Sequence, residues 1–252
     1  MKITKWKVDA YLKTHRPTIV CIDHSSALKS AEFDAIIAAL QVYVDDHVAP
    51  AWGVMAELVK GKDFRDGCWA MVFLDHADHA RSLAYHHLTP DGYPQSKVFV
   101  ETTRADGKPV SVAASHELVE MLVDPSMNLE VMKPDGKLVH RYEVADPVED
   151  LHFEVNGLPM SDFVYPAYFE SFHKPDSVQF DHMGKIRKPF QIHLGGYQCV
   201  MVKGKWTLRF GSRAKQKAFE KQDRRDRRAA ARAATRRRLS ARKNAKRFKA
   251  KA

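Results

Sequence analysis

His116, Glu117, Glu120 and Asp124 crowd into one short stretch of the chain, Ser111–Pro125. Ser111 is a helix-capping type and Pro125 disfavours helical geometry at Asp124, so the spacing predicts about three turns of helix between them. At roughly 100° per residue, the apolar side chains from Val112 to Val123 spread around most of the circumference. The four polar side chains fall in the remaining sector. His116 and Glu120 are four apart, so they stack on one face and can grip a common atom. A solvated stripe normally mixes signs, because Lys or Arg at i,i+4 relieves carboxylate repulsion. This sector holds three carboxylates, one imidazole and no cation, and a bound divalent metal would supply the missing positive charge.

The elements that must position this helix are read from the surrounding pattern. Thr18–Ile22, Val54–Val59 and the apolar run Cys68–Leu74 predict strands, the last of the kind buried within a sheet. Ser30 opens a helix with Phe33, Ile36, Ile37, Leu40 and Val44 as its apolar stripe, and Pro50 closes that region. Ser96–Thr103 predicts a short strand, and the loop Arg104–Val110 leads from it into the His116 helix. A hairpin turns at 133–136 and returns as Leu138–Val144, running into the acidic segment that holds Glu143, Asp146, Glu149 and Asp150. Phe190–His193, Tyr197–Val202 and Trp206–Phe210 predict further strands. Helices mixed with antiparallel-looking strands point to an α+β body over 1–211, with an arm over 212–252.

The net charge of +10 is unevenly placed. Residues 213–252 hold 18 Lys/Arg against Glu220, Asp223 and Asp226, a net +15, whereas the body carries 23 basic and 28 acidic groups, a net −5. The arm cannot bury enough apolar surface to fold alone, so it is expected to be disordered or conditionally helical. Its densest runs are Arg224, Arg225, Arg227, Arg228 and Arg236, Arg237, Arg238, and arginine over lysine favours phosphate contact. Nucleic acid, DNA or RNA, is the expected partner, bound without sequence specificity. Cys21, Cys68 and Cys199 are scattered and contain no Cys-x-x-Cys pair, which fits a reducing compartment. No apolar run reaches bilayer length and the start lacks a secretory h-region, so the expected location is cytoplasmic or virion-associated, with no membrane partner.

Ser115-His-Glu-Leu-Val-Glu-Met-Leu-Val-Asp-Pro125, followed by Tyr142-Glu-Val-Ala-Asp146, resembles the zincin metallopeptidases. More closely, it resembles a largely uncharacterised group of bacterial and phage proteins with the pattern Ser-His-Glu-x-x-Glu…Asp-Pro and a downstream Glu-x-x-Asp. The resemblance covers roughly residues 30–170, touching Trp52-Gly53-Val54, Tyr85-His86 and Ser161-Asp162-Phe163. It implies a single zincin-like domain with a mixed sheet and a motif-bearing helix. It also implies His116 and Glu120 as metal ligands, Glu117 as the general base for a metal-activated water, and zinc as the metal. A third ligand comes from beyond the helix: Asp146 first, then Glu143, then Asp124. The substrate would be a peptide lying along Val98–Thr103. Glu120 stands where better-known zincins place a second His, so the set is harder and suits other divalent ions as well, calcium included. The alternative implied by the same likeness is a non-catalytic phage structural protein that keeps the zincin shape, meets other virion proteins and reaches DNA or RNA through its arm.

His76, His79, His86 and His87 form a second histidine group, of which His86 is the one expected to approach the helix site. Tyr142, Tyr165 and Tyr168 are candidates for an oxyanion donor, with aromatic core packing as the commoner fate of such residues.

Overall fold

The computed structural model describes residues 16–78, 82–134 and 136–221, which form a mixed α+β structure with three sheets. The arginine runs of the arm, His79 and the first fifteen residues lie outside the described residues.

The largest sheet has five strands: β1 (Thr18–Asp23), β2 (Glu57–Gly61), β3 (Trp69–Leu74), β4 (Ala84–Leu88) and β5 (Pro94–Phe99), in the order β2-β1-β3-β5-β4. β1, β2, β3 and β5 run parallel, and only β4 is antiparallel, hydrogen-bonded to β5 at the edge. The apolar runs of β1 and β3 are buried at the sheet's centre, as parallel strands covered on both faces require. Helix α1 (Ser30–Val42) lays Phe33, Ile36, Ile37 and Leu40 into the same core. It continues through a π-helical turn, Tyr43–Val48, into α2 (Ala49–Trp52). Pro50 sits in the first turn of α2, and Gly53 (φ 66°) ends it. Pro50 therefore does not close the helical region: its missing N–H is tolerated at a helix start, and the left-handed glycine makes the stop.

β5 ends at Phe99, and Val100–Ala105 is a short helix, α3, so the expected strand over Ser96–Thr103 is corrected. The expected peptide-pairing edge at Val98–Thr103 is corrected with it. Val98 pairs with β4 on one side and β3 on the other, Phe99 pairs with β3 and donates its N–H to Leu83 O, and the free edge on this side of the sheet belongs to β4. The turn Thr89–Gly92 joins these two strands as its sequence predicts, with Gly92 at φ 84°. Helix α4 (Val110–Val123) follows, and every residue in it from Val110 to Leu122 is buried except His116, which is nearly so. Ser111 is not its cap. It lies inside the helix and donates Oγ–H to the Pro159 carbonyl at 2.7 Å.

A four-stranded sheet, β11-β10-β7-β6, holds the predicted hairpins: β6 (Glu130–Met132) with β7 (Val139–Arg141), and β10 (Tyr197–Val202) with β11 (Lys205–Phe210). Phe190–His193 is irregular, not a strand. A two-stranded hairpin, β8 (His152–Val155) with β9 (Leu158–Ser161), packs beneath α4. Its turn, Asn156-Gly157, has φ of 51° and 75°, the geometry that favours this dipeptide in tight hairpins. Ser115 Oγ accepts the Ser161 N–H at 2.8 Å and donates to Val112 O, and Tyr43 donates to Ser161 O at 3.0 Å. These bonds fix the depth and rotation of α4 against the hairpin. Among the described residues no helix is long and apolar enough to cross a membrane.

Candidate metal centre

The buried sector of α4 faces a cleft of about 410 Å³. One wall is the edge strand β4 with its preceding residues Ser82 and Leu83, and the other is the segment from Arg141 to Glu149 with Tyr197 and Cys199 of β10. His116, Glu117 and Glu120 open into this space from the helix, and Glu143 and Asp146 meet them from across it.

His116 Nε2 lies 3.5 Å from Glu120 Oε2 and 3.3 Å from Asp146 Oδ1. Two ligands each about 2.1 Å from a tetrahedral ion lie about 3.4 Å apart, so these spacings fit three corners of a metal coordination sphere. The three side chains form a group whose donor atoms all lie within 4.8 Å of one another, and a second such group is His86, Glu120 and Glu143. The described residues thus contain His/Glu/Asp groups able to hold a metal ion. The outer oxygen of Glu120, Oε1, is fixed by the N–H groups of Ala145 (3.1 Å) and Asp146 (3.3 Å). That pair of bonds leaves Oε2 facing the two histidines and ties the segment carrying Asp146 to the helix. Gly196 holds the same segment from behind. A Cβ there would fall 2.1 Å from Pro147 O, a separation only glycine permits.

Glu117 Oε2 is 3.0 Å from His86 Nδ1, and both side chains are over nine-tenths buried. Of the described members of the histidine group, only His86 reaches the site. His76 is exposed and pairs with Glu101, and His87 is engaged with Gln95 Oε1 at 2.8 Å and with Leu88 O. The alternation of a strand explains the split, since adjacent residues of β4 point to opposite faces. Asp124, the third candidate ligand, is occupied elsewhere. Its two oxygens accept the N–H groups of Asn128 (3.1 Å) and Leu129 (2.9 Å), closing the turn after α4. Tyr142 stacks on Phe169 with ring centroids 3.9 Å apart, Tyr165 donates to or accepts from His182, and Tyr168 is buried against Phe169 and Phe190. None of the three lines the cleft. Tyr85 and Tyr197 do, and the Tyr197 phenol is pushed well above its ordinary range by burial and then by Asp146, Glu149 and Glu120.

The electrostatics record a shortage of positive charge. Burial, then Asp146, Glu143 and Glu117, push the Glu120 carboxyl well above the usual range. Glu143 is raised to about 7 by burial and then by Asp146, with His86 and Arg141 opposing. Burial alone would lower His116, but the Asp146 hydrogen bond and the charge of Glu117 outweigh it and raise the imidazole to about 9. A divalent cation entering this cluster would displace these protons, because imidazole and carboxylate ligate in their deprotonated forms.

The root of the basic arm borders the cleft. Residues 213–221 are helical, Lys215 Nζ forms an ion pair with Glu149, and Phe219 packs on Tyr197 and Phe210 with centroids 5.9 and 5.3 Å apart. No family model, curated protein or solved structure matches the chain.

Proposed function

We propose that this protein is a zincin-like metal-dependent peptidase, holding a divalent cation, zinc, at His116, Glu120 and Asp146. The observation that carries the reading is the spacing of 3.3–3.5 Å from His116 Nε2 to two carboxylate oxygens on different elements. The donor set of one imidazole and two carboxylates leaves room for a further ligand, as catalytic sites require. When bound, the cation supplies Lewis acidity to an attacking water and to a carbonyl oxygen. Glu117, next in sequence to the first ligand, takes the proton of that water, and His86 holds its carboxylate in place through Nδ1. The unpaired edge of β4, which borders the cleft, offers backbone groups to an extended peptide.

The test is proteolysis of an unstructured protein substrate by the full chain loaded with Zn²⁺. Glu117→Gln is expected to retain zinc and lose activity by about 10²- to 10⁴-fold, the usual worth of a positioned base. A Glu117→Gln chain as active as the native one, or a native zinc-loaded chain with no activity, overturns the enzymatic reading.

A second reading is supported by the contact of Lys215 and Phe219 with the cleft wall, which seats the root of the arm at its rim. In that reading the body is a non-catalytic virion component and the arm, through Arg224–Arg238, binds DNA or RNA. Truncation after Lys221 keeps these contacts and removes the arginine runs. Salt-sensitive binding to a random duplex is expected to be lost on that truncation, and binding retained by the truncated chain overturns the assignment to the arm.

A further inference from the structure

The two possible ligand groups are not independent, because both contain Glu120. We propose that the cleft binds two divalent cations, one at His116, Glu120 and Asp146 and the other at His86, Glu120 and Glu143, with Glu120 shared between them. This rests on the reading of the first group as a metal site and adds a second ion beside it.

Glu120 is placed for sharing. Oε1 is held by two backbone N–H groups, and Oε2 lies 3.5 Å from His116 Nε2 on one side and beside the His86 imidazole on the other, where His86, Glu120 and Glu143 offer ligand atoms all within 4.8 Å of one another. His86 has the arrangement of a ligating imidazole. One nitrogen, Nδ1, is engaged with the carboxylate of Glu117 at 3.0 Å, and the other, Nε2, is buried with no hydrogen-bond partner. A metal-binding histidine characteristically donates its other N–H to a carboxylate. Here that donation leaves a lone pair in a side chain only 6% exposed, where a missing partner is costly. Charge points the same way. Glu117, Glu120, Glu143 and Asp146 bring four carboxylates to the cleft, and one divalent ion offsets half of that. Lys215 is committed to Glu149 at the rim, and Arg141, 4.7 Å from the Trp206 ring centroid, and Lys108 line the same cleft and offset only part of its negative charge. A single ion at the first group leaves Glu143 and the His86 Nε2 lone pair unused; a second ion engages both.

The experiment is equilibrium dialysis of the full chain against Zn²⁺, with Glu143→Gln, His86→Ala and Glu120→Gln alongside and circular dichroism as the check on folding. Two equivalents are expected for the native chain, one for Glu143→Gln and for His86→Ala, and none for Glu120→Gln. One equivalent in the native chain, unchanged in Glu143→Gln, overturns the second ion and leaves the first site standing. A second equivalent that survives both Glu143→Gln and His86→Ala lies elsewhere and also overturns it. No zinc in the native chain overturns both sites together. Should a variant not fold, zinc absorption-edge spectroscopy of the native chain decides. A metal–metal distance of about 3.5–4 Å supports the pair, and a spectrum without one overturns it.

Discussion

Glu120→Gln is expected to change the sign of its effect on stability when metal is added. Glu120 is 4% exposed, and its carboxylate shares a confined space with Glu117, Glu143 and Asp146. Glutamine preserves the side chain's shape and keeps an Oε1 to accept the Ala145 and Asp146 N–H groups, so the helix remains tied to the segment across the cleft. What the variant loses is a carboxyl whose charged form is disfavoured by burial and by Asp146, Glu143 and Glu117, so the folded native chain must take up a proton that glutamine does not need. In metal-free buffer that loss is expected to stabilise the fold by about 1–2 kcal/mol. For a domain of this size, that raises the melting temperature by roughly 2–8 °C. With free Zn²⁺ at a hundred times its dissociation constant, the native chain gains about 2.7 kcal/mol. The variant lacks an anionic ligand and gains little. The two melting curves, followed by circular dichroism in EDTA and then in zinc, are therefore expected to exchange order. A variant that melts below the native chain in both buffers, or that gains as much from zinc, refutes the reasoning.

Three further outcomes follow from the packing around the site. Ser115→Ala leaves the buried Ser161 N–H without its 2.8 Å acceptor, and chemical denaturation is expected to show a loss of about 1–3 kcal/mol. Gly196→Ala forces a Cβ into Pro147 and displaces Asp146, so zinc affinity in a calorimetric titration is expected to fall even where the chain remains folded. Asp162, beside Asp181 in a buried carboxyl pair, is raised to about 8 by burial and then by its neighbour's charge. A folded-state pKa above the unfolded one means the folded form holds the extra proton. The stability it contributes is complete below about pH 4 and is lost as pH rises through about 8. Asp162→Asn keeps an oxygen for the Phe163 and Met183 N–H groups and is expected to flatten that decline in denaturation curves between pH 6 and 9.

The parts of this fold legible in the sequence are those where local chemistry and tertiary demand coincide. The α4 helix, the buried strand at Trp69–Leu74 and the hairpin at Tyr197–Phe210 carry periodicity or turn residues that the packed structure retains. Val100–Thr103 misled because β-branched residues suggest a strand, whereas here they form the helical turn that redirects the chain toward α4. The Asn156-Gly157 dipeptide is itself a turn signal for the β8–β9 hairpin. At the site, the i,i+4 spacing of His116 and Glu120 carries the helix half of the cluster. Which residues face it from afar is set by packing. The histidine of β4 that turns inward depends on strand register, Tyr197 arrives from a separate sheet, and Asp124 is withdrawn by local hydrogen bonds. His86 is anticipated through the Tyr85-His86 pair of the resemblance, whereas the arrival of Tyr197 and the withdrawal of Asp124 leave no trace in spacing along the chain.

Crystals of the full chain grown with Zn²⁺ and measured at the zinc absorption edge test the central claim most directly. The account predicts an anomalous peak about 2.0–2.2 Å from His116 Nε2, Glu120 Oε2 and Asp146 Oδ1. Zinc found only at surface histidines, with ordered water or a lysine amine among these three side chains, would contradict it.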